Sequence, residues 1–458
     1  MYEINFHKPV RVHFCGIGGV SMSALAELLQ SEGFRVSGSD MNESQMTRQL
    51  EDNGITIRIG QRAENITDDI ELVVYTAAIA DDNPELSEAR RRGLPVISRA
   101  QLLGQLMKNY RCPLAIAGTH GKTTTTSMIS EMLMAAGTDP TIHVGGILPS
   151  IGGNLRIGGR DYFVSEACEY TDSFLQFFPR ISVVLNIEED HLDYFADIHA
   201  IRRSFRKFME LLPEDGLLII NGDIADLDEL TGGLRCRVVT FGTDASSDYS
   251  PADISFDESG RGQYRLVHGG EDCVVKLGVV GMHNILNSLA ALAVTDALDI
   301  DRDTALEALR AFHGAARRFE LKGKLGGITI MDDYAHHPTE IRTTLTAALN
   351  YPHKKLRCVF QPHTYTRTKA FLADFADALS LADEVILADI YAAREKNTIG
   401  ISSRDLEALM KEKGCNVHYF PYFDDIENHL LTHAEDGDLI LTMGAGDIYK
   451  VGEKLLGT

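Results

Sequence analysis

Residues 112–137 read CPLAIAGTHGKTTTTSMISEMLMAAG and combine an apolar run, a glycine-containing loop and a long helical pattern. This order predicts a strand, a tight loop and a helix, which together begin a parallel α/β unit. Glycines let backbone N–H groups turn toward phosphate oxygens, and the helix N-terminus adds a partial positive charge. The stretch therefore predicts a binding site for a nucleoside triphosphate.

Within this loop, Lys122 and Thr123 carry the side chains that such a site needs. A lysine at this place can reach the β- and γ-phosphates, and the following hydroxyl can bind magnesium. The full pattern GxxxxGK[ST] is not met, because its first glycine would fall on Ile116, and the loop has the shorter form GTxGKT. The alternative, a glycine-rich helix start with a chance lysine, is less favoured because strand, loop and helix follow in order.

Two acidic clusters follow apolar runs downstream of the loop. YFVSEACEYTDSF places Glu166 and Glu169 after one predicted strand, and SVVLNIEEDHLDYF places Asp190, His191 and Asp193 after another. Magnesium prefers oxygen ligands, with one or two carboxylates beside the phosphates. Each cluster could equally be a solvated turn, but together with the phosphate loop the two clusters favour a metal site.

The N-terminal part of the chain alternates strand-like runs (RVHFCGI, RVSGSD, ELVVYTAAI and LPVIS) with helical runs such as SMSALAELLQSEG, which predicts a parallel sheet with helices.

A glycine turn, FCGIGGVSMSALAEL, begins at Phe14. It supplies Gly16, Gly18 and Ser21 in the form GxGxxS, without the third glycine of the coenzyme pattern. Asp40 lies at about the distance of a ribose-binding acid. The turn by itself predicts a nucleotide diphosphate, with a dinucleotide coenzyme as the obvious first interpretation.

Polar residues also lie at the start of a later predicted helix, and a pair of arginines follows that helix. GMHNILNSLAAL places Asn284 and Asn287 on one helix face, where their amides suit an adenine edge. GAARRFEL contains Arg317 and Arg318. In isolation, an ordinary polar first turn and a surface basic pair are the plainer interpretations. Residues 244–275 are polar and glycine-rich, which predicts a β-ribbon excursion.

The last part of the chain contains strand-like runs that end in polar loops, among them GGITIMDDYAHHP and LRCVFQPH. Ligands of open α/β sheets bind at such strand ends. The loops offer Asp333, His336, His363 and Arg367, and cations clustered there in an acidic chain suit a phosphate or carboxylate ligand.

The overall composition excludes several classes of protein. A net charge of -22 over 458 residues argues against general binding to nucleic acid or an anionic membrane. No apolar run approaches the roughly 20 residues that span a bilayer, and MYEINFHKPV lacks the pattern of a secretory signal. The seven cysteines are scattered without a CxxC pair, which favours thiols in a reducing compartment over disulfides or zinc. We expect a cytoplasmic protein without nucleic-acid partners or membrane insertion.

Several motifs in one order resemble the Mur ligases of peptidoglycan synthesis. These are GTHGKTTTT, EACEYTDSF, DHLDYF, HNxxN, RRF, DDYAHHPTE and QPHTYTRT, and the resemblance runs from GIGGVSMSALAELL to LTMGAGDIYKVGE. It implies an α/β protein of three domains. Residues 1–108 would form a Rossmann-like domain that binds a UDP-sugar, 109–314 a central P-loop ATPase-like domain that binds ATP and Mg²⁺, and 315–458 a Rossmann-like domain that binds an amino acid.

The resemblance also implies a reaction. ATP would phosphorylate the lactyl carboxylate of UDP-N-acetylmuramate, and the amine of L-alanine would attack the acyl phosphate to form an amide. The enzyme would be a monomer or homodimer. A related ligase that attaches a tripeptide to the same UDP-sugar is the nearest alternative. A nicotinamide-dependent dehydrogenase, suggested by FCGIGGVS alone, and a nucleotide-gated binding module are the alternatives from other classes.

Roles for individual residues follow from the matched motifs. The predicted ATP-contacting residues are Gly118, Thr119, His120, Gly121, Lys122, Thr123, Thr124, Asn284, Asn287, Arg318 and Asp333. The predicted UDP-sugar contacts are Gly16, Gly18, Gly19, Val20, Ser21, Asp40 and Thr76. The residues on the amino-acid and carboxylate side are Tyr334, His336, His363 and Arg367. The predicted magnesium ligands are Thr123, Glu166 and His191. The predicted catalytic residues are Lys122, Glu166, His191, Arg318, Asp333 and His336, with His336 as the hypothetical proton acceptor.

Overall fold

A computed structural model describes residues 2–192, 194–393 and 395–458. Asp193, a candidate of the second acidic cluster, lies outside the described residues. The chain forms two compact units: Met1–Ile187 with His199–Val239, and Glu188–Ile198 with Thr240–Thr458.

The first unit begins with a parallel sheet of the order β3-β2-β1-β4-β5. The strands are β1 (Arg11–Cys15), β2 (Arg35–Asp40), β3 (Thr56–Ile59), β4 (Leu72–Tyr75) and β5 (Val96–Ser98). The helices are α1 (Val20–Ser31), α2 (Gln45–Asp52), α3 (Pro84–Arg91) and α4 (Arg99–Met107). The predicted alternation of strands and helices is confirmed. Sequence analysis did not identify β3, a strand of only four residues at the edge of the sheet whose side chains are largely exposed.

Helix α1 shows why this part of the sequence folds as predicted. Leu25, Leu28 and Leu29 are fully buried in the core, as is Phe14 of β1. Gly33 follows the helix with φ +86°, a left-handed conformation that glycine adopts without steric cost and that ends helices.

The second sheet of this unit has the order β12-β11-β10-β6-β9-β7-β8. Its strands are β6 (Cys112–Ala117), β7 (Thr141–Leu148), β8 (Gly153–Arg156), β9 (Tyr162–Glu166), β10 (Ile181–Val184), β11 (Leu217–Asn221) and β12 (Arg237–Phe241). The helices are α5 (Lys122–Ala135), α6 (Ile198–Met209) and α7 (Leu227–Thr231). Strand β6 pairs in parallel with β9 on one side and β10 on the other. The loops that follow these three strands therefore meet at one edge of the sheet.

The second unit opens with an antiparallel ribbon of β13 (Ser250–Phe256), β14 (Arg261–His268) and β15 (Glu271–Val280), followed by α8 (Met282–Ala297) and α9 (Arg302–Ala311). The predicted β-ribbon is thus confirmed. A further sheet has the order β16-β17-β21-β18-β19-β20, parallel except for the β16–β17 pair.

The elements of this last sheet follow in chain order. The strands are β16 (Glu320–Leu325), β17 (Ile328–Asp333), β18 (Leu356–Phe360), β19 (Glu384–Leu387), β20 (Val417–Tyr419) and β21 (Leu439–Met443). The helices are α10 (Pro338–Leu349), α11 (Tyr365–Ala370), α12 (Leu372–Leu379), α13 (Ser403–Glu412), α14 (Phe423–His433) and α15 (Tyr449–Leu456). The β17 and β18 runs of the sequence are strands as predicted, and their polar loops follow at the carboxyl edge.

The seven cysteines all carry free thiols, three of them buried and the others half-buried, as the sequence predicted for thiols rather than disulfides. In the described part of the chain, none of the helices combines the length and apolarity needed to cross a membrane.

Candidate functional site

The loop between β6 and α5 has the backbone geometry of a phosphate loop. Gly118 has φ +148° and Gly121 has φ +84°, conformations that side-chain-bearing residues rarely adopt. A Cβ atom on Gly118 would also lie only 2.9 Å from the Cβ of Leu185. Helix α5 starts directly at Lys122, so its first N–H groups face the loop. The loop can therefore cradle an anion with its backbone.

Lys122 is the cation of this loop, and its ammonium group is held from two sides. Its Nζ donates to the carbonyls of Gly118 and Thr119, the latter at 3.0 Å, and lies 3.1 Å from Oε2 of Glu169. Burial opposes the charge, but Glu169 and its neighbours Cys168 and Glu166 raise the pKa of Lys122. Lys122 is therefore a fixed positive charge at neutral pH.

Asn186, which sequence analysis did not identify, follows the end of β10 and stabilises the same loop by hydrogen bonds. Its backbone oxygen accepts from the Thr119 N–H at 3.2 Å. Its side chain accepts from the His120 N–H at 2.8 Å and donates to the His120 carbonyl at 3.1 Å. The one available signal was its position at the end of a strand, in SVVLNIEED.

Glu166 and Thr123 lie on either side of a glycine pair in β7. Oε1 of Glu166 accepts from the Gly145 N–H at 2.5 Å, and a Cβ on Gly146 would lie 3.3 Å from Cγ2 of Thr123. Thr123 is buried in the first turn of α5, where Thr124 is half-exposed beside it. A hydroxyl and a carboxylate at a phosphate loop form a donor set that suits magnesium. Glu169, in contrast, is engaged with Lys122.

The N-terminal glycine turn is built at the carboxyl edge of the first sheet. Gly16 has φ +79°, and its N–H and that of Ile17 both donate to the Ser39 carbonyl, at 2.8 and 2.9 Å. A Cβ on Gly16 would lie 2.8 Å from Cγ2 of Thr76. The structure therefore brings Gly16 and Thr76 together, and their contact with a UDP-sugar stays a prediction.

Asp40 and Gly18 are bonded to each other, because the Gly18 N–H donates to Oδ2 of Asp40 at 2.9 Å. The sequence predicted that the Gly18 N–H donates to a diphosphate and that the Asp40 carboxylate accepts from a nucleoside hydroxyl. In this structure the carboxylate shapes the turn, and its ligand role stays a prediction. Gly19 caps α1, and Val20 starts the helix with 55% of its surface exposed.

Ser21 connects this turn to two residues that sequence analysis missed. Its Oγ lies 3.1 Å from Nε2 of His143 and accepts from Nη1 of Arg99 at 3.1 Å. Burial, assisted by Arg99, lowers the pKa of His143 to about 4, so this imidazole is neutral. Arg99 thus places a half-buried guanidinium beside the glycine turn.

In the second unit, Asn284 and Asn287 lie in the first turns of α8 and are bonded to each other. Nδ2 of Asn287 donates to Oδ1 of Asn284 at 3.0 Å, and Nδ2 of Asn284 donates to the Val280 carbonyl at 2.8 Å. Both side chains are buried. The predicted shared face is confirmed, whereas contact with adenine stays a prediction.

The two arginines of RRF have different roles. Arg317 donates from Nε to Asp332 at 2.8 Å and from its terminal nitrogens to the Gly446 and Gly444 carbonyls, which fixes it inside the last sheet. Arg318 lies with its guanidinium carbon 5.3 Å from the centre of the Tyr334 ring. Arg318 does not share these bonds of Arg317, and its contact with ATP stays a prediction.

Asp333 ends β17 and orders the backbone around Arg318. Its carboxylate accepts from the N–H groups of Phe319 and Ala335, both at 2.7 Å. Burial raises the pKa of Asp333 to about 6, against the opposing effect of Arg318. Asp333 thereby holds the backbone at Phe319 and Ala335 in place.

Arg367 organises a cluster of titratable side chains in the same unit. Its Nη1 lies 3.2 Å from Nδ1 of His363, and its Nη2 donates to Oδ1 of Asp190 at 3.1 Å. Burial opposes ionisation, but His191, Arg367 and His337 hold the pKa of Asp190 well below its ordinary value. His191 has φ +53° and donates its N–H to Asp190 at 2.7 Å. Asp190 is thus an ionised carboxylate committed to Arg367.

His336 adjoins this cluster, with its ring centre 5.6 Å from that of His363 and 5.5 Å from that of Tyr334. Its Nδ1 lies 3.0 Å from the Tyr334 carbonyl, which assigns the proton to Nδ1 and leaves Nε2 as the acceptor. Burial lowers the pKa of His336 to about 4. At neutral pH the imidazole is therefore uncharged, with Nε2 unprotonated, and it is a weaker base than an exposed histidine.

The predicted site residues thus fall into the two units. The first unit brings together the loop residues from Gly118 to Thr124 with Glu166, and separately the residues of the N-terminal turn. The second unit brings together Arg318, Asp333 and Tyr334, and also His191, His336, His363 and Arg367.

Comparison with protein-family models gives three consecutive matches. The model described as "Mur ligase family, catalytic domain" matches residues 11–111, "Mur ligase middle domain" matches 116–295, and "Mur ligase, glutamate ligase domain" matches 317–446.

Individual relatives match along the whole chain. A UDP-N-acetylmuramate–L-alanine ligase of Agathobacter rectalis is 56% identical over 457 residues, covering 100% of both chains. The crystal structure of a UDP-N-acetylmuramate–alanine ligase of Thermotoga maritima has a TM-score of 0.81 at 31% identity, and that of a murein peptide ligase of Psychrobacter arcticus has 0.71 at 29%. Both structures cover 98% of each chain.

Proposed function

The chain belongs to the Mur ligase family, and from this premise we propose that it joins L-alanine to the lactyl carboxylate of UDP-N-acetylmuramate at the expense of ATP. The observation that carries this function is the full-length identity of 56% to an L-alanine ligase of the same UDP-sugar. The predicted family and the three-domain α/β architecture are confirmed. The L-alanine ligase is favoured over the tripeptide ligase and over the dehydrogenase.

The geometry supports a route through an acyl phosphate. A carboxylate is a poor acyl donor, and phosphorylation supplies a leaving group for the amine to displace. The carboxylate and the γ-phosphate are both anions, so transfer requires fixed positive charge. Lys122 supplies such a charge at the phosphate loop, where its pKa is raised. Arg99, beside the glycine turn, supplies a second cation in the same unit.

The donor set at the phosphate loop fits magnesium, since the Thr123 hydroxyl and the Glu166 carboxylate are oxygen ligands. A bound Mg²⁺ ion would neutralise charge on the β- and γ-phosphates. Thr123 and Glu166 are the residues that would hold it, with Glu166 kept in orientation by the Gly145 N–H. The contribution of His191 to a second ion stays a prediction.

His336 is the proposed acceptor of the amine proton. In His336→Ala, we expect acyl-phosphate formation to persist and amide formation to fall by about 10²- to 10⁴-fold, because a positioned general base contributes that much. Acyl phosphate is measured by trapping with hydroxylamine, and amide by chromatography of the product. His353→Ala is the matched control, since Nδ1 of His353 makes the same contact with the carbonyl two residues earlier. Unchanged ligation in His336→Ala would remove His336 from this role.

Phosphate release from ATP tests the function directly. We expect release only when UDP-N-acetylmuramate and L-alanine are both present, with Mg²⁺ in the buffer. Replacing L-alanine by L-Ala-D-Glu-diamino acid distinguishes the tripeptide ligase, and NAD binding without ATP turnover distinguishes the dehydrogenase. Release that requires the tripeptide, or no release with either amine, would contradict the proposal.

We also propose a cytoplasmic location, supported by seven free thiols, which persist in reducing compartments. A monomer or homodimer stays a prediction, as do the absence of a nucleic-acid partner and domain boundaries at 108/109 and 314/315. Sedimentation equilibrium measures the oligomeric state.

A further inference from the structure

A cluster of two histidines and a glutamate lies in the last sheet, outside the residues assigned above. Glu384 is the first residue of β19, His418 lies on the neighbouring strand β20, and His429 lies on α14. We propose that Glu384, His418 and His429 form a binding site for a divalent transition-metal ion, of which Zn²⁺ is the representative. Glu384 lies at the amino end of its strand, whereas His336, His363 and Arg367 follow the carboxyl ends of strands in the same sheet.

The distances match those of a metal site. Oε1 of Glu384 lies 2.9 Å from Nε2 of His429 and 3.5 Å from Nε2 of His418, and the three ligand atoms lie within 4.8 Å of one another. In tetrahedral zinc with bonds of about 2.1 Å, ligand atoms are separated by about 3.4 Å. Small side-chain adjustments would therefore bring all three atoms to an ion.

Glu384 is prepared to act as an anionic ligand. Its other oxygen, Oε2, is bonded to Arg357, and Arg357 also donates to Asp438 at 2.8 Å. The two carboxylates together carry one more negative charge than Arg357 neutralises. Arg357 thus fixes the orientation of Glu384 while Oε1 faces the imidazoles.

The site combines three protein ligands with access to solvent. The side chain of His418 is 42% exposed, whereas those of His429 and Glu384 are largely buried. Glu407 and Lys411 of α13 also act electrostatically on His418, with opposite signs. Three protein ligands and a solvent molecule are a common arrangement for zinc, and imidazole nitrogens select transition metals over magnesium and calcium.

A second cluster of potential ligands, His13, Cys15 and Glu85, is a useful contrast. The Glu85 carboxylate already accepts from Ser39 at 2.6 Å and from Asn65 at 2.5 Å, and all three cluster residues are buried. Both oxygens of Glu85 accept hydrogen bonds from Ser39 and Asn65, and solvent does not reach the cluster. The Glu384 cluster differs by its exposed histidine.

An ion at this site would connect the edge strand β20 and helix α14 to β19. Because it would bind the folded chain and not the unfolded one, it would raise the thermal midpoint in proportion to the logarithm of its concentration. Ligase chemistry would not depend on it, since none of the three residues belongs to the proposed catalytic machinery.

The test is binding of Zn²⁺ and Co²⁺ to the full-length chain and to His418→Ala, with His433→Ala as the matched control. His433 stacks on His429 with ring centres 4.3 Å apart, but its Nδ1 contacts the His429 carbonyl at 2.8 Å. We expect the wild type and His433→Ala to bind one Zn²⁺ more tightly, by at least about tenfold, than His418→Ala. We also expect the visible absorption of tetrahedral Co²⁺ only in the first two.

Phosphate release with L-alanine and Mg²⁺ is measured on the same samples, and unchanged rates in His418→Ala show that its fold and active site are intact. Equal Zn²⁺ binding by wild type and His418→Ala would overturn the site. Equal loss in His433→Ala would overturn the choice of ligands. Neither result would affect the proposed ligase function.

Discussion

Replacing Lys122 by alanine is expected to lower ATP-dependent ligation by about 10³-fold or more, the range seen when a cation that stabilises a transferring phosphoryl group is removed. Lys122 is the ammonium of the phosphate loop, and its Nζ lies among the carbonyls of Gly118 and Thr119 and the carboxylate of Glu169. Phosphate release with both substrates present measures the effect. Trapping of the acyl phosphate with hydroxylamine should show that the first step is the one lost.

A stability effect accompanies this substitution and must be separated from it. Lys122→Ala removes the ammonium partner of Glu169, whose side chain is only 3% exposed. Removing one partner of a buried ion pair costs about 3–5 kcal/mol, because the remaining charge is left without compensation. The double variant Lys122→Ala/Glu169→Gln removes both charges. We expect it to regain most of the unfolding free energy, measured with urea, while remaining inactive.

The two variants together assign the role of Lys122. Loss of ligation in both, with stability restored in the double variant, identifies the ammonium as necessary for phosphoryl transfer. Recovery of ligation together with stability in the double variant would mean that Lys122 serves only the fold. Substantial turnover in Lys122→Ala itself would contradict the assignment of this loop to ATP.

The phosphate loop was predictable because its information is local. Gly118, Gly121 and Lys122 lie within a few residues of one another, and the strand and helix around them fix the turn. The N-terminal glycine turn was predictable for the same reason. The remaining contacts join residues that are distant in the sequence and come together only when the sheets form. Short sequence patterns therefore do not predict these contacts.

Three examples show what local patterns leave undetermined. Asn186 braces the loop from a neighbouring strand, and Arg99 reaches Ser21 from α4, 78 positions along the chain. Glu166 and Glu169 belong to the same acidic cluster of the sequence. The direction of the chain after β9 places Glu169, and not Glu166, in contact with Lys122. Arg317 and Arg318 are adjacent residues of the same type. The backbone at Arg317, with φ +60°, directs the Arg317 side chain into the sheet.

Glu85→Ala is expected to destabilise the first unit by about 2–6 kcal/mol, because two buried donors, the Ser39 hydroxyl and the Asn65 amide, lose their acceptor at about 1–3 kcal/mol each. Glu85 lies on α3 and is fully buried. Its carboxylate accepts from Ser39 Oγ at 2.6 Å and from Asn65 Nδ2 at 2.5 Å, and lies 3.7 Å from Nε2 of His13. Alanine would leave these polar groups without their acceptor. Urea unfolding measures the loss, and Glu88→Ala on the same helix, whose half-buried carboxylate pairs with the surface residues Arg91 and Arg92, should change stability far less.

Glu85 should also act on the substrate through Ser39, as a positioning residue. The Ser39 carbonyl holds the N–H groups of Gly16 and Ile17, so a shift of Ser39 disturbs the turn predicted to bind the UDP-sugar. We expect Glu85→Gln, which keeps the shape and one acceptor oxygen, to raise the KM for UDP-N-acetylmuramate by about tenfold with the KM for ATP unchanged. A purely structural role would reduce active enzyme without moving either KM. Equal changes in both KM values would show that Glu85 supports the whole unit and not this turn.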